Sequence, residues 1–229
     1  MAQLRIKRLR WGIAAVLGVL FTISSLSGAQ AAAAPPPAKP DYGHIDGSVY
    51  SNEFFGLHIS IPAGWSVAGE AAKKQLIEKG KELIKSPDAA SQQGIDESVN
   101  RTTQLLTISR FEINKPNAQT NPSLVCLVER LPDAAAGIKS RDYAALVGDG
   151  LKGSSLTLAP VGEIHAETVD GVEFSVLDVK GKVQEQDVYQ KYYVNIVKGY
   201  SLVFITTYYS DDDHKLTAAI VASVKMRHP

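Results

Sequence analysis

The sequence predicts an α+β domain: a largely antiparallel sheet sandwiched between helices in α/β/α layers. The last strand carries most of that expectation. Tyr200, Leu202, Phe204, Thr206 and Tyr208 point one way, and Ser201, Val203, Ile205, Thr207 and Tyr209 the other, so both faces are substantially apolar. Leu124–Val128 is apolar on both faces as well. Strands of that kind need cover on both sides, and three amphipathic helices are available to supply it. The glycine turns Asp170-Gly171 and Lys198-Gly199 suit tight hairpins, which make their flanking strands antiparallel.

The elements follow in readable order. Val49-Tyr50 and Gly56–Ile61 flank Ser51-Asn52-Glu53, a hairpin signal in which Leu57, Ile59 and Ile61 alternate with His58 and Ser60. Pro62-Ala63-Gly64-Trp65 ends the second strand. A helix is predicted over Glu70–Lys85, with Ala72, Leu76, Ile77, Leu83 and Ile84 on its apolar face. Residues 86–103 are polar without periodicity and are predicted to be a mobile excursion. Leu105–Ile113 and Leu124–Leu131 read as strands around a turn-rich loop. A second helix is predicted over Ser140–Lys152, with Ser140 as its N-cap. Four meander strands follow, at Val161–Thr168, Val172–Gly181, Gln186–Val197 and Tyr200–Tyr209. Ser210 then caps a closing helix whose first turn carries Asp211, Asp212 and Asp213 against the helix dipole. Its expected buried stripe is Leu216, Ala219, Ile220, Ser223 and Val224.

The N-terminus reads as a signal for export. Arg5, Lys7, Arg8 and Arg10 precede the apolar run Trp11–Leu26, and Ala29-Gln30-Ala31 forms an A-x-A exit. Cleavage is expected after Ala31, with Ala33 as the near alternative. The alternative is an uncleaved anchor, although the run is short for a span of about 20 residues. Residues 32–45 form an Ala/Pro-rich linker with Pro35, Pro36, Pro37 and Pro40, stiff and extended. Residues 46–229 then form a single domain. Removing residues 1–31 takes away four bases and no acid, so 24 against 24 becomes 20 against 24, a net −4. That balance argues against a nucleic-acid partner. Cys126 is the only cysteine, which excludes an intramolecular disulfide, and its setting in Leu124–Val128 predicts a buried thiol that fills the core.

Tyr50–Val67, YSNEFFGLHISIPAGWSV, resembles the opening of PsbP-like domains and their bacterial relatives, among them the DcrB-type exported proteins. In those proteins an aromatic-rich hairpin leads through a proline and a tryptophan, here Pro62 and Trp65, into the first helix. Gly199–Met226 resembles their last strand, polar turn and C-terminal helix. The resemblance implies a fold shared with the Ran-binding import factor of the Mog family. For function it implies a non-enzymatic accessory, binding or envelope-associated protein. The 86–103 excursion departs from the photosynthetic members, and a photosystem role is not implied.

Motifs for chemistry are sparse. Asp211-Asp212-Asp213-His214 could suggest a divalent cation, but neighbouring helical residues do not converge, and acids are ordinary at a helix start. No cofactor and no metal ligands are expected. No histidine pair has H-x-x-x-H spacing, and His165 shares a strand face with Glu163 and Glu167 that reads as solvated. The G-x-S-x-G and S-x-x-K patterns of nucleophilic catalysis are missing. Six tyrosines on two adjacent strands are the most promising set. Tyr189, Tyr192, Tyr193, Tyr208 and Tyr209, with Trp65, make the candidate ligand or partner surface, because tyrosine joins contact area to a polar tip. The alternative is that they line the sheet beneath its helices. The leading expectation is an exported, non-catalytic binding or accessory protein whose partner is an extracytoplasmic protein or a small ligand. An enzyme whose site forms only in three dimensions is the alternative. A structural envelope protein held by an uncleaved anchor, which alone would put the domain at a membrane, is a third.

Overall fold

The computed structural model describes residues 41–83, 89–113, 120–153, 158–183 and 185–227. The proposed signal segment and most of the linker lie outside these residues, as do Ile84 and Lys85 at the predicted end of the first helix. The described elements run β1 (His44–Asp46), β2 (Val49–Asn52), β3 (Leu57–Ser60), β4 (Ser66–Val67), α1 (Glu70–Leu83), α2 (Ala89–Arg101), β5 (Thr102–Ser109) and β6 (Ser123–Arg130). After a 3-10 turn at Asp133–Ala135 come α3 (Ser140–Gly153), β7 (Leu158–Pro160), β8 (His165–Val169), β9 (Val172–Val183), β10 (Gln186–Val197) and β11 (Tyr200–Tyr208). α4 (Asp211–Ala222) and β12 (Lys225–Met226) close the chain. Ordered structure thus reaches back to His44, inside the segment read as linker.

This is an α+β fold built on antiparallel pairing. The large sheet has the order β4-β5-β6-β11-β10-β9-β7, and β8 pairs with β9 beside β7. A smaller sheet has the order β1-β2-β3-β12. The two-faced apolar pattern of β6 and β11 is met by two separate cores. On one face Leu76, Val99, Tyr143, Ala144, Val147 and Leu151 of α1, α2 and α3 pack on Val125, Leu127, Val203 and Ile205. On the other, Tyr50, Leu57 and Ile59 of the small sheet join Ile220, Val221 and Val224 to cover Leu124, Cys126, Leu202 and Phe204. Helices therefore lie on both faces, and a small sheet shares the second face with α4. Cys126 is fully buried there, and burial pushes its thiol up.

The turns behave as their dipeptides require. Asp170 and Gly171 have φ of 46° and 82°, and Lys198 and Gly199 have 51° and 78°. Two successive positive φ angles match the right-handed twist of a two-residue hairpin. Ser210 caps α4, accepting from the backbone N–H of Asp213 at 3.2 Å.

Three expectations are corrected. Residues 89–101 of the polar excursion form a helix. Side-chain bonds Gln92–Asp96 and Gln93–Glu97, each 3.0 Å, support its surface, while Ile95, Ser98 and Val99 turn inward. So short an apolar stripe falls below what periodicity can detect. The strand expected to reach Ile113 stops at Ser109, because the Phe111 N–H and C=O both turn to the Asn121 side chain, at 2.8 and 3.0 Å. Finally, α4 buries Asp213, Thr217, Ile220 and Val221 and leaves Leu216 and Ala219 exposed. The stripe is rotated because Thr120 Oγ1 draws the Asp213 carboxylate inward, donating to it at 3.0 Å.

Candidate functional site

The tyrosine strands β10 and β11 pair in register, Tyr189 opposite Tyr208 and Tyr193 opposite Phe204. Strand alternation then divides the candidate residues. Tyr189, Tyr193 and Tyr208 share the face that carries α4. Tyr192 faces α1–α3, is buried, and donates to Gln190 Oε1 at 2.9 Å. Tyr209 lies past the end of β11, half-buried beside Asp213. Trp65 precedes β4 and packs half-buried on the second core, with β5, β6 and β11 between it and β10. The sequence set is therefore not one surface. Three of its tyrosines converge, Tyr192 is core, and Trp65 lies at the far edge of the sheet.

Tyr189 and Tyr208 belong to a stacked column. Lys180 Nζ sits 5.1 Å from the Tyr189 ring centre. The Tyr189 and Tyr208 rings stack at 5.5 Å with 11° between their planes. The His214 imidazole, from the first turn of α4, lies 4.5 Å beyond Tyr208. Both rings thus have neighbours within the chain, and Lys180 also bonds the Tyr189 side chain, leaving ring edges and the Tyr208 hydroxyl for a partner. Burial, followed by the charges of Asp178, Tyr189, Glu167 and Asp211, pushes the Tyr208 phenol up to about 12. It therefore stays a hydrogen-bond donor at any physiological pH. Asp187 anchors the Lys180 end at 3.4 Å.

Next to the column lies an ionic cluster. Lys191, with its side chain 14% exposed, donates a short hydrogen bond to Glu167 and lies 4.0 Å from Asp178. His165 Nε2 is 3.0 Å from Glu167 and its Nδ1 3.6 Å from Asp178. The Lys191 ammonium also lies 5.5 Å from the Tyr193 ring centre. Burial raises the Glu167 carboxyl, but hydrogen bonds from Lys191 and His165 outweigh it and hold the group below its ordinary range. His165 and Glu163 are exposed, as the strand pattern implies, and Glu167 is half-buried. Lys191 and Asp178 escape sequence reading because they arrive from β10 and β9, and only register places them beside β8. Cross-strand register, Asp178 opposite Lys191 and Val176 opposite both Tyr193 and His165, is the signal that assembles them.

A second pair was not singled out by the sequence. Ser51 Oγ and His58 Nδ1 lie 2.9 Å apart on the small sheet, as direct cross-strand neighbours. A hydroxyl bonded to an imidazole is the first half of an activated nucleophile. The other half, a group orienting the ring, is missing among the described residues, since His58 Nε2 is buried without a partner. No three His, Cys, Asp or Glu side chains are grouped to hold a metal ion among the described residues. Nor is any described helix long and apolar enough to cross a membrane.

No family model matches the chain, and no curated protein sequence does. Solved structures are similar to it. LpqN, involved in cell envelope biogenesis of Mycobacterium tuberculosis, is similar at 15% identity and TM-score 0.43, over 75% of this chain and 83% of LpqN. Cyanobacterial PsbP (CyanoP) from Synechocystis sp. PCC 6803 is similar at 13% identity and TM-score 0.45, over 87% of this chain and 98% of that one.

Proposed function

We propose that the chain is an exported, non-catalytic binding or accessory protein of the cell envelope, recognising a protein or small ligand with the Lys180–Tyr189–Tyr208–His214 column. The preorganised stack carries this reading. Its rings are immobilised before any partner arrives, so little side-chain entropy remains to be lost on binding. Tyrosine hydroxyls flanked by Lys180 and Asp187 present donors and acceptors from a half-buried aromatic base, the composition that recognition surfaces favour. The basic, apolar and small-residue order of residues 1–31 supports export.

The test is capture from an extracytoplasmic extract by the wild-type domain and by a Tyr189→Ala/Tyr208→Ala variant. A partner retained by the first and lost by the folded second supports the proposal. Equal retention by both moves the binding surface elsewhere and rejects the column. The enzyme reading is favoured by the mutually bonded His165, Glu167, Asp178 and Lys191. Turnover of a small substrate that disappears in Lys191→Met would establish it in place of the binding role.

A further inference from the structure

Strand β1 forms one margin of the small sheet, away from the column and the ionic cluster. Among the described residues it pairs only with β2, His44 opposite Ser51, Ile45 opposite Tyr50 and Asp46 opposite Val49. The Ile61 N–H donates to the Ser48 carbonyl at 2.7 Å, which fixes the phase of the β2–β3 ladder. Hydrogen-bonded pairs alternate along an antiparallel ladder, so Tyr50 turns its N–H and C=O to Ile59. Val49 and Ser51 then turn theirs to Asp46 and His44. Ile45, opposite Tyr50, is left with its N–H and C=O pointing out of the sheet.

This margin is held in place and unguarded. Buried Asn52 donates through Nδ2 to the Asp41 carbonyl at 2.9 Å, and the Tyr50 hydroxyl donates to the Tyr42 carbonyl at 2.9 Å. The Gly43 N–H reaches Asp41 Oδ1 at 2.9 Å, so the chain entering β1 is pinned before any partner arrives. Exposed sheet edges are ordinarily blunted by proline, charge or brevity. β7 carries Pro160, β8 carries Glu167, and β4 and β12 are two residues long. β1 instead has Ile45 at its centre, 44% exposed. Tyr42 and Val49 are exposed beside it, so half of the large exposed hydrophobic side chains among the described residues lie on this hairpin.

The order His44-Ile45-Asp46 is its own complement. Laid antiparallel to a second copy about a two-fold axis through Ile45, each His44 falls opposite the partner's Asp46, an imidazole N–H against a carboxylate. Ile45 meets the partner's Ile45, and their outward N–H and C=O groups exchange two hydrogen bonds. The 44/46 pairs on either side are then of the non-hydrogen-bonded kind, in which side chains approach most closely. Parallel pairing would set like residues side by side. Ile45 also lies on the face of Tyr50, at the open margin of the second core, so the pairing would continue that core across the axis. We propose that β1 is a self-association edge: two copies join their small sheets by antiparallel two-fold pairing centred on Ile45. Two three-residue strands bury less than the about 1,000 Å² of a stable interface, so the association is weak and depends on concentration. The inference stands independently of the binding role proposed for the tyrosine column, which lies on the large sheet.

Sedimentation velocity of the purified chain at rising concentration, with amide hydrogen exchange read at Ile45, provides the test. The wild type should pass from monomer to dimer. Its Ile45 amide should exchange more slowly as it does so, by about twofold where half of the chains are paired. His44→Asp sets two carboxylates against each other on both sides of the axis and should abolish the dimer. His44→Asp/Asp46→His reverses the order, restores the complement and should recover it. Both side chains are exposed. A wild type that stays monomeric overturns the proposal and leaves the edge to another protein's strand. A dimer that persists in His44→Asp, or that the double variant fails to recover, overturns it as well. So does a wild-type dimer whose Ile45 amide exchanges as fast as the monomer's, a readout that needs no variant.

Discussion

Lys191 shows how much of a residue's role is set by its cross-strand neighbours. On β10 it sits between Gln190 and Tyr192, and nothing in that local context names a partner. Register sets it opposite Asp178 and within reach of Glu167. The consequence for stability has a definite sign. Glu167 has its folded value below that of the unfolded chain, about 4.3 for a free glutamate. Its contribution is therefore present above that value and is lost as pH falls through the folded one. Lys191→Met should flatten the acid side of the stability profile, read as the urea midpoint between about pH 5 and 3. A profile as steep as the wild type's would show that Lys191 does not hold this carboxylate. His165 and Glu167 were legible together because i and i+2 share a strand face. Lys191 and Asp178 were not, because they come from other strands.

At the scale of elements, turns and caps are the most legible parts because their chemistry is local. Ser210→Ala removes the α4 cap and should cost about 1 kcal/mol of unfolding free energy, measured by denaturant titration. Gly199 and Gly56 separate two reasons for glycine. At Gly199, with φ of 78°, an added Cβ meets nothing within 4 Å, so alanine pays only the left-handed backbone cost of about 1–2 kcal/mol. At Gly56, with φ of 62°, the same atom would stand 2.6 Å from the Arg227 carbonyl, where Arg227 N–H bonds back to the Gly56 carbonyl at 2.7 Å. Gly56→Ala should therefore destabilise more than Gly199→Ala in the same titration, and equal costs would deny a close approach of the C-terminus to this turn. Helix α2 lies at the other extreme. Its polar sequence carries too little apolar periodicity to declare a helix, and its inward bonds to Glu129 exist only once β6 is in place.

At the scale of the molecule, two cores share one sheet. Phe204 lies at the centre of the second, fully buried against Phe174 at 5.4 Å between ring centres. Phe204→Ala should cost about 3–5 kcal/mol by thermal or denaturant unfolding. Cys126 occupies the same core with no exposed surface. Its modification by a thiol reagent should proceed only at the rate of global unfolding, and rapid labelling under native conditions would contradict that packing. The Asp170-Gly171 turn also has a role at this scale. Asp170 accepts from the Met226 N–H at 2.8 Å and from Lys225 at 3.0 Å, which ties the large sheet to the end of the small one.

The sequence by itself determined the fold class, the hairpin turns, the α4 cap and the burial of Cys126. Each follows from periodicity or from chemistry within a few neighbouring residues. Only the tertiary structure decided which tyrosines meet, how Lys191 is neutralised, and that 89–101 is helical and bonds to Glu129. Those features depend on strand register and on contacts between residues far apart in the chain, and local patterns carry no record of either. The candidate tyrosines come from β10 and from the end of β11. Whether two neighbours on a strand share a face is set by alternation, which separates Tyr192 from Tyr193; what each face meets is set by the packing around it.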